Sequence, residues 1–411
     1  MRKMKCVVCL LLMLMLVPAI LHARGILPID NRPLAAAKYG SWAGVLRLWI
    51  CEGWPVGSGS ASAWINRCIA AFEKRHPGVY VQPEYVGPEA IAAIGQSGIL
   101  PPELVLFPPG TGIPVDMLAP LPADLPLRAG LSARGQAAGA RLAVPVMLGG
   151  YMWVWNPARL SGIPPTWESV EVPMTCSPDE PFRHWGAALL GLCDGAYAEN
   201  APSVSPTPPG ELDLGLAAAP STPAPTPAAT PVPETGLREC RLHEGFSPSE
   251  SAWQDFINGD VAAMPVTQRG IRRLAALSDQ GRGSAWQLSP GGAVFTDQAL
   301  YLGIVRRESD DGRGALCRAF VEHLLSDQCQ GQLYRVGAFS VTNAPSGYAP
   351  GDALAAMEAM LRTGAPIMPD PFDTSWPGDT EAIVRDFFAN RGSTRKLWRK
   401  LGGRLMQKPE H

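Results

Sequence analysis

The sequence predicts an α/β protein built as two lobes, and three observations predict it. Val45 to Val86 reads as an apolar strand, a polar Gly-rich loop, an amphipathic helix and a second strand, which is one βαβ unit. Arg141 to Trp155, RLAVPVMLGGYMWVW, reads as a strand crossing between lobes, bent at Pro145 and at the Gly149-Gly150 pair. Strand and helix patterns then recur from Ser251 to Val336, and such recurrence builds sheets faced by helices. A chain of 411 residues has room for two or three domains, and 46% hydrophobic residues supply their cores.

In chain order, Arg2, Lys3 and Lys5 form a basic head before the apolar run Val7 to Ile20, which is short for a membrane span. The segment reads as an export signal cleaved after Ala23, with Leu21 a weak fit two positions earlier, or as a retained anchor. Either reading puts the rest of the chain in an extracytoplasmic or secreted setting. No later run is long and apolar enough for a second span, and no lipid-attachment cysteine follows the first. Residues 24–44 are an irregular leader. The first helix stops at His76-Pro77-Gly78. Leu104 to Phe107 is a short buried strand ended by Pro108-Pro109-Gly110, and Thr166 is placed to cap a helix after Pro164-Pro165. Residues 201–235 are rich in Pro, Ala, Ser and Thr, bury too little apolar surface to offset their ordering entropy, and are expected to be a disordered insertion. Ser251 to Asn258 reads as a helix end, Asn258-Gly259-Asp260 as a turn into the strand VAAMPV, and Phe295 to Val305 as another strand. Gly314 to Val336 reads as one continuous helix, and Thr380 to Leu401 as a helical tail with a solvated basic face.

Composition removes several function classes. A net charge of −2 offers neither the basic face that nucleic acid requires nor steering toward anionic membranes. Beyond Cys6 and Cys9 stand Cys51, Cys68, Cys176, Cys193, Cys240, Cys317 and Cys329, an odd set that cannot pair fully within one molecule. On one helix Cys317 and Cys329 would lie about 18 Å apart, too far for a disulfide. Cys176 with Cys193 stays open, and most of the set is expected to be thiol. The six histidines are scattered, with no metal-ligand spacing. No phosphate loop, dinucleotide fingerprint or nucleophile elbow occurs. Glu52 and Asp297 could act as a carboxylate pair, but nothing in the sequence brings them together. The expectation is a protein that is not an enzyme and carries no cofactor and no metal.

In order along the chain, the segments resemble the extracellular solute-binding proteins of family 1, the sugar-type receptors of ATP-binding cassette importers. The resemblance runs from Val45 to about Asn343. LRLW followed by IAAFEKRHPGVYV is similar to the family's opening strand, helix and second strand. PPELVLFPPG, LAVPVMLGGYMWVWN, PPTWESV, FINGDVAAMPV and AFVEHLLSDQCQGQLYRVGAFSV resemble its later elements in the right order. Glu103 stands where Asp is usual, and Ser340 replaces a usual Pro.

The resemblance implies a two-lobed periplasmic-binding-protein-like fold with a hinge. Residues 45–144 with 297–340 would form one lobe, and 145–296 with 341–411 the other. A small solute, a sugar or oligosaccharide, is captured between them and passed to a membrane permease by a monomeric protein. A surface receptor that signals occupancy to a sensor kinase, or a degenerate structural or adhesive module, are the alternatives. Loops at strand ends place the candidate ligand residues. They are Glu52 and Trp54 after the first strand, Gly110 and Thr111 after LVLF, Tyr151 and Trp153 at the crossover, Thr267, Gln268 and Arg269 after VAAMPV, and Asp297 at the return crossing. Of Trp153 and Trp155, one is expected to face the core and the other, Trp153, the cleft.

Overall fold

The computed structural model describes residues 42–96, 98, 100–159, 175–176, 247–248, 251–289, 296–307, 312–363, 368–375, 380, 382–384, 386–387, 390 and 400. The export segment, most of the leader, the Thr166 cap, the 201–235 insertion, Cys193, Cys240, Phe295 and most of the 380–401 tail lie outside them.

The first sheet starts with β1 (Gly44–Ile50), in which Leu46, Leu48 and Ile50 are fully buried while Val45 is 48% exposed. Helix α1 (Ala61–Arg75) begins where Ser60 Oγ accepts from Ala63 N and ends at His76, followed by Gly78 at φ +88°. Its Trp64, Ile65, Cys68, Ile69 and Phe72 are buried on one face. Strand β2 (Val79–Tyr85) pairs parallel with β1 and tolerates Pro83 because it is the sheet's edge. A short helix α2 (Pro88–Ala92) leads to β3 (Leu104–Phe107), buried throughout and parallel to β1.

Four strands follow: β4 (Leu118–Ala119), the small hairpin β5 (Gln136–Ala137) with β6 (Ala140–Arg141), and β7 (Ala143–Leu148). The second sheet starts at β8 (Tyr151–Trp155). The run from Arg141 to Trp155 is therefore several strands rather than one bent strand, and the chain changes sheet at Gly149–Gly150 rather than at Pro145. Strands β9 (Thr175–Cys176) and β10 (Ser247–Pro248) pair parallel to each other. Helix α3 (Ala252–Asn258) ends at Gly259 in the left-handed region and feeds β11 (Ala263–Thr267). Helix α4 (Gln268–Asp279) and β12 (Gln287–Ser289) follow, and β8 lies between β11 and β12, antiparallel to both.

The chain returns to the first sheet through β13 (Ala299–Val305), wholly buried and antiparallel to β3, β4 and β7. The single helix expected over 314–336 is three pieces: α5 (Arg313–Leu324), α6 (Asp327–Gln330) and a 3-10 turn over Leu333–Val336. Ser326, in extended conformation, starts α6 and breaks the run. The helical spacing of Cys317 and Cys329 consequently does not apply. Helix α7 (Ala353–Thr363) packs on α4, where Arg272 donates to Asp352 Oδ2 at 2.9 Å.

Trp153 and Trp155 do not divide between core and cleft. Residues two apart on a strand share a face, and both are buried, opposite Pro265 and Ala263 of β11. Met152 and Val154, on the other face, join the main apolar core.

Gly337 shows how tightly the loop after β1 meets the end of the Leu333–Val336 turn. It lies at φ +65°, and a Cβ there would sit 2.7 Å from Gly57 Cα. Gly57 N donates to Gly337 O at 3.2 Å, and Ser58 N to Val336 O at 2.9 Å. Gly337→Ala is expected to lower stability by about 1–3 kcal/mol in a denaturant titration, through strain and lost approach. An unchanged unfolding midpoint would contradict that.

Candidate functional site

Two strands of chain pass side by side between the sheets, and hydrogen bonds lace them together. Gly149 N donates to Gln298 O at 2.7 Å, and Thr296 Oγ1 donates to Gly149 O at 2.9 Å. Two residues after Gly149, Tyr151 Oη donates to Asp297 Oδ1 at 2.6 Å. A third segment joins them, since Leu148 and Phe339 exchange backbone hydrogen bonds of 3.1 and 2.8 Å.

Three side chains converge over this junction. A Cβ on Gly149 would lie 2.6 Å from Gln268 Nε2 and 2.8 Å from the Trp54 ring, and closer still to Gln298 Oε1. Only a glycine leaves room there for two amides and an indole to meet over bare backbone. Gln268, the first residue of α4, is fully buried: Gly150 N donates to its Oε1 at 3.1 Å, and its Nε2 reaches Pro55 O at 3.3 Å. That contact ties the loop after β1 to the first turn of α4.

Gln298 is the group that sequence reasoning missed. It is 1% exposed, and neither its Oε1 nor its Nε2 has a hydrogen-bond partner in the protein. A buried amide left this way costs about 1–3 kcal/mol, so its retention calls for an explanation. Its signal in the sequence was weak: Thr296-Asp297-Gln298 is a polar triplet directly before an apolar strand, and Asp297 drew the attention.

The sequence candidates are spread over several places. Trp54, Tyr151, Gln268 and Asp297 are at the junction. Thr267 is beside it, but its hydroxyl accepts from Gly270 N and so caps α4. Gly110 and Thr111 lie in the loop after β3, where Gly110 N donates to Pro371 O and Thr111 Oγ1 donates to Pro108 O. The loops after β1 and β3 do touch each other, because a Cβ on Gly53 would collide with Pro108. Glu52 is exposed and accepts from Ser62 N in the first turn of α1, Arg269 is exposed on α4, and Trp153 is buried within the second sheet. Glu52 and Asp297 share no hydrogen bond. Among the described residues, no group of three or more His, Cys, Asp or Glu is placed to hold a metal ion, and no helix is long and apolar enough to cross a membrane.

Two sheets joined by adjacent crossings, with loops from both meeting over them, define a recognisable architecture. The cyclic alpha-maltosyl-1,6-maltose binding protein from Arthrobacter globiformis superposes with a TM-score of 0.56 over 89% of this chain and 99% of its own, at 13% identity. The fold is that of a two-lobed periplasmic binding protein. The sugar-binding protein MalE from Xanthomonas citri gives 0.55 at 15% identity, covering 88% of this chain and 96% of its own. A family 1 extracellular solute-binding protein from Bifidobacterium longum subsp. infantis gives 0.54 at 12% identity, covering 88% and 98%. No protein-family model and no curated protein matches the chain by sequence.

Proposed function

We propose that this protein captures a small neutral polyhydroxy solute, a carbohydrate, between its two lobes outside the cytoplasm and hands it to the permease of an ATP-binding cassette importer. The observation that carries the reading is the unpartnered amide of Gln298, buried at the lobe junction under Trp54. An amide offers one acceptor and a two-hydrogen donor, which suits vicinal hydroxyls, and an indole face suits the apolar face of a sugar ring. Asp297, next to Gln298 in the chain, accepts from Tyr151 Oη. The similar folds in the Arthrobacter and Xanthomonas proteins, named for sugars they bind, support the same class of ligand.

The Gln268 to Pro55 contact is the contact between lips that opening breaks and closure restores. Glu52, Gly110, Thr111 and Arg269 then stand at the cleft rim, and Thr267 and Trp153 act by holding α4 and the second sheet in place.

A thermal-shift screen tests this. A solute at a hundred times its Kd stabilises by about 2.7 kcal/mol, so a matching sugar should raise Tm by several degrees. Trp54→Ala should weaken the response roughly tenfold in concentration. No shift with linear or cyclic oligosaccharides, polyols, amino acids or polyamines would count against solute capture.

A further inference from the structure

Helices α1 and α6 bring two cysteines together, and His323 of α5 joins them. Cys68 and Cys329 are each 1% exposed, both are thiols, and their side chains lie within reach of each other. Trp64, one turn before Cys68 on α1, donates its indole N–H to Cys329 O at 2.8 Å and pins α6 against that face. His323 Nε2 lies 2.9 Å from Cys68 O and 3.4 Å from Cys329 Sγ. A carbonyl oxygen only accepts, so Nε2 carries the hydrogen, and the same N–H leans on the Cys329 sulfur. His323 Nδ1, its other nitrogen, is buried without a partner.

We propose that Cys68 and Cys329 are a redox-linked pair that closes to a disulfide joining α1 to α6 when the chain meets a small-molecule or protein disulfide. The Cys329 thiolate attacks one sulfur of that disulfide, forming a mixed disulfide and releasing one thiolate. Cys68 loses its proton and attacks Cys329 Sγ, which breaks the mixed bond, forms the internal one and releases the second thiolate. Two protein thiols are oxidised and one external disulfide is reduced to two thiols.

The site favours this pair over the other buried cysteines. The neighbouring Cys68 side chain pulls the Cys329 thiol down to about 5, burial opposes it, and His323 adds to the lowering. The Cys68 thiol is pushed up by Cys329 and by burial. Burial alone is the largest influence on Cys51, raised to about 11, and on Cys317, raised to about 12, so neither is a nucleophile near neutral pH. Access is short as well. Cys329 directly follows the exposed Asp327 and Gln328 in a helix of four residues.

The test equilibrates the full chain in a mixture of reduced and oxidised glutathione, denatures it, blocks free thiols without reduction, and maps the peptides. The expected result is Cys68 and Cys329 peptides recovered joined, with Cys51 and Cys317 blocked. In Cys68→Ser, Cys329 should be recovered carrying glutathione, because nothing resolves the mixed disulfide. A reductant should lower the Tm of the linked protein by ~5 °C or more and leave Cys68→Ser unchanged. Recovery of both cysteines blocked in the wild type, or linked to other cysteines, overturns the proposal, as does a wild-type Tm indifferent to reductant. The pairing depends on this geometry alone, so its failure leaves the solute-binding reading untouched.

Discussion

Replacing Gln298 with leucine is expected to move stability and affinity in opposite directions. The unliganded protein should gain about 1–3 kcal/mol, and affinity for solute should fall roughly tenfold to a hundredfold. The side chain is buried with both amide atoms unpartnered, so in the empty protein its polarity is a cost. Leucine has a similar volume and removes that cost without opening a cavity. In the complex the amide is worth two hydrogen bonds to hydroxyls, which leucine cannot make. A side chain that merely supports the fold loses stability when replaced, so denaturant unfolding without solute separates the two roles. A large destabilisation would identify Gln298 as structural.

Glu103→Ala should be the most damaging single change in the first lobe, lowering unfolding free energy by about 3–5 kcal/mol. The carboxylate is 3% exposed and sits where three elements end. Its Oε2 accepts from Arg47 N at 2.7 Å and lies 3.5 Å from Arg47 Nε, while Oε1 meets Arg313 Nη1 at 3.1 Å and pairs with Arg307. Alanine leaves three guanidinium groups facing one another and an unpaired N–H on β1. The arginines are 25–29% exposed and turn partly into solvent, which holds the loss near the low end of the range. Glu103→Gln keeps the shape and an acceptor for Arg47 N, and should lose about 1–2 kcal/mol. Equal losses from both variants would mean that charge is not what Glu103 supplies.

Much of this fold was legible where a local cause decides it. His76-Pro77-Gly78 marked the end of α1 within a residue. Gly149-Gly150 marked the change of sheet, although Pro145 looked equally disruptive and stays inside β7, where it faces Tyr301 at an irregularity in the register. The break at Ser326 was hidden because helical spacing persists across it, with Leu324 and Gln328 still in phase. The two tryptophans of β8 were misjudged through the period itself, which is two residues on a strand.

The site was legible by loop and not by direction. Trp54, Tyr151, Gln268 and Asp297, proposed from strand ends, lie at the junction. Whether a side chain turns toward the cleft depends on backbone dihedrals that sequence does not carry, so Glu52 was grouped with Trp54 although it turns back onto α1. Gln298 was invisible because its distinguishing property is the absence of a partner, which exists only once everything around it is in place.

The central claim, a neutral oligosaccharide held at the Gly149–Gly150 junction, is tested most directly by calorimetric titration of wild type and Gln298→Leu with linear and cyclic α-glucans and other neutral oligosaccharides. The expected result is saturable binding of at least one of them by the wild type, and at least roughly tenfold weaker binding of the same sugar by Gln298→Leu. Equal affinity in the two proteins, or no saturable heat from any of these sugars, would contradict it.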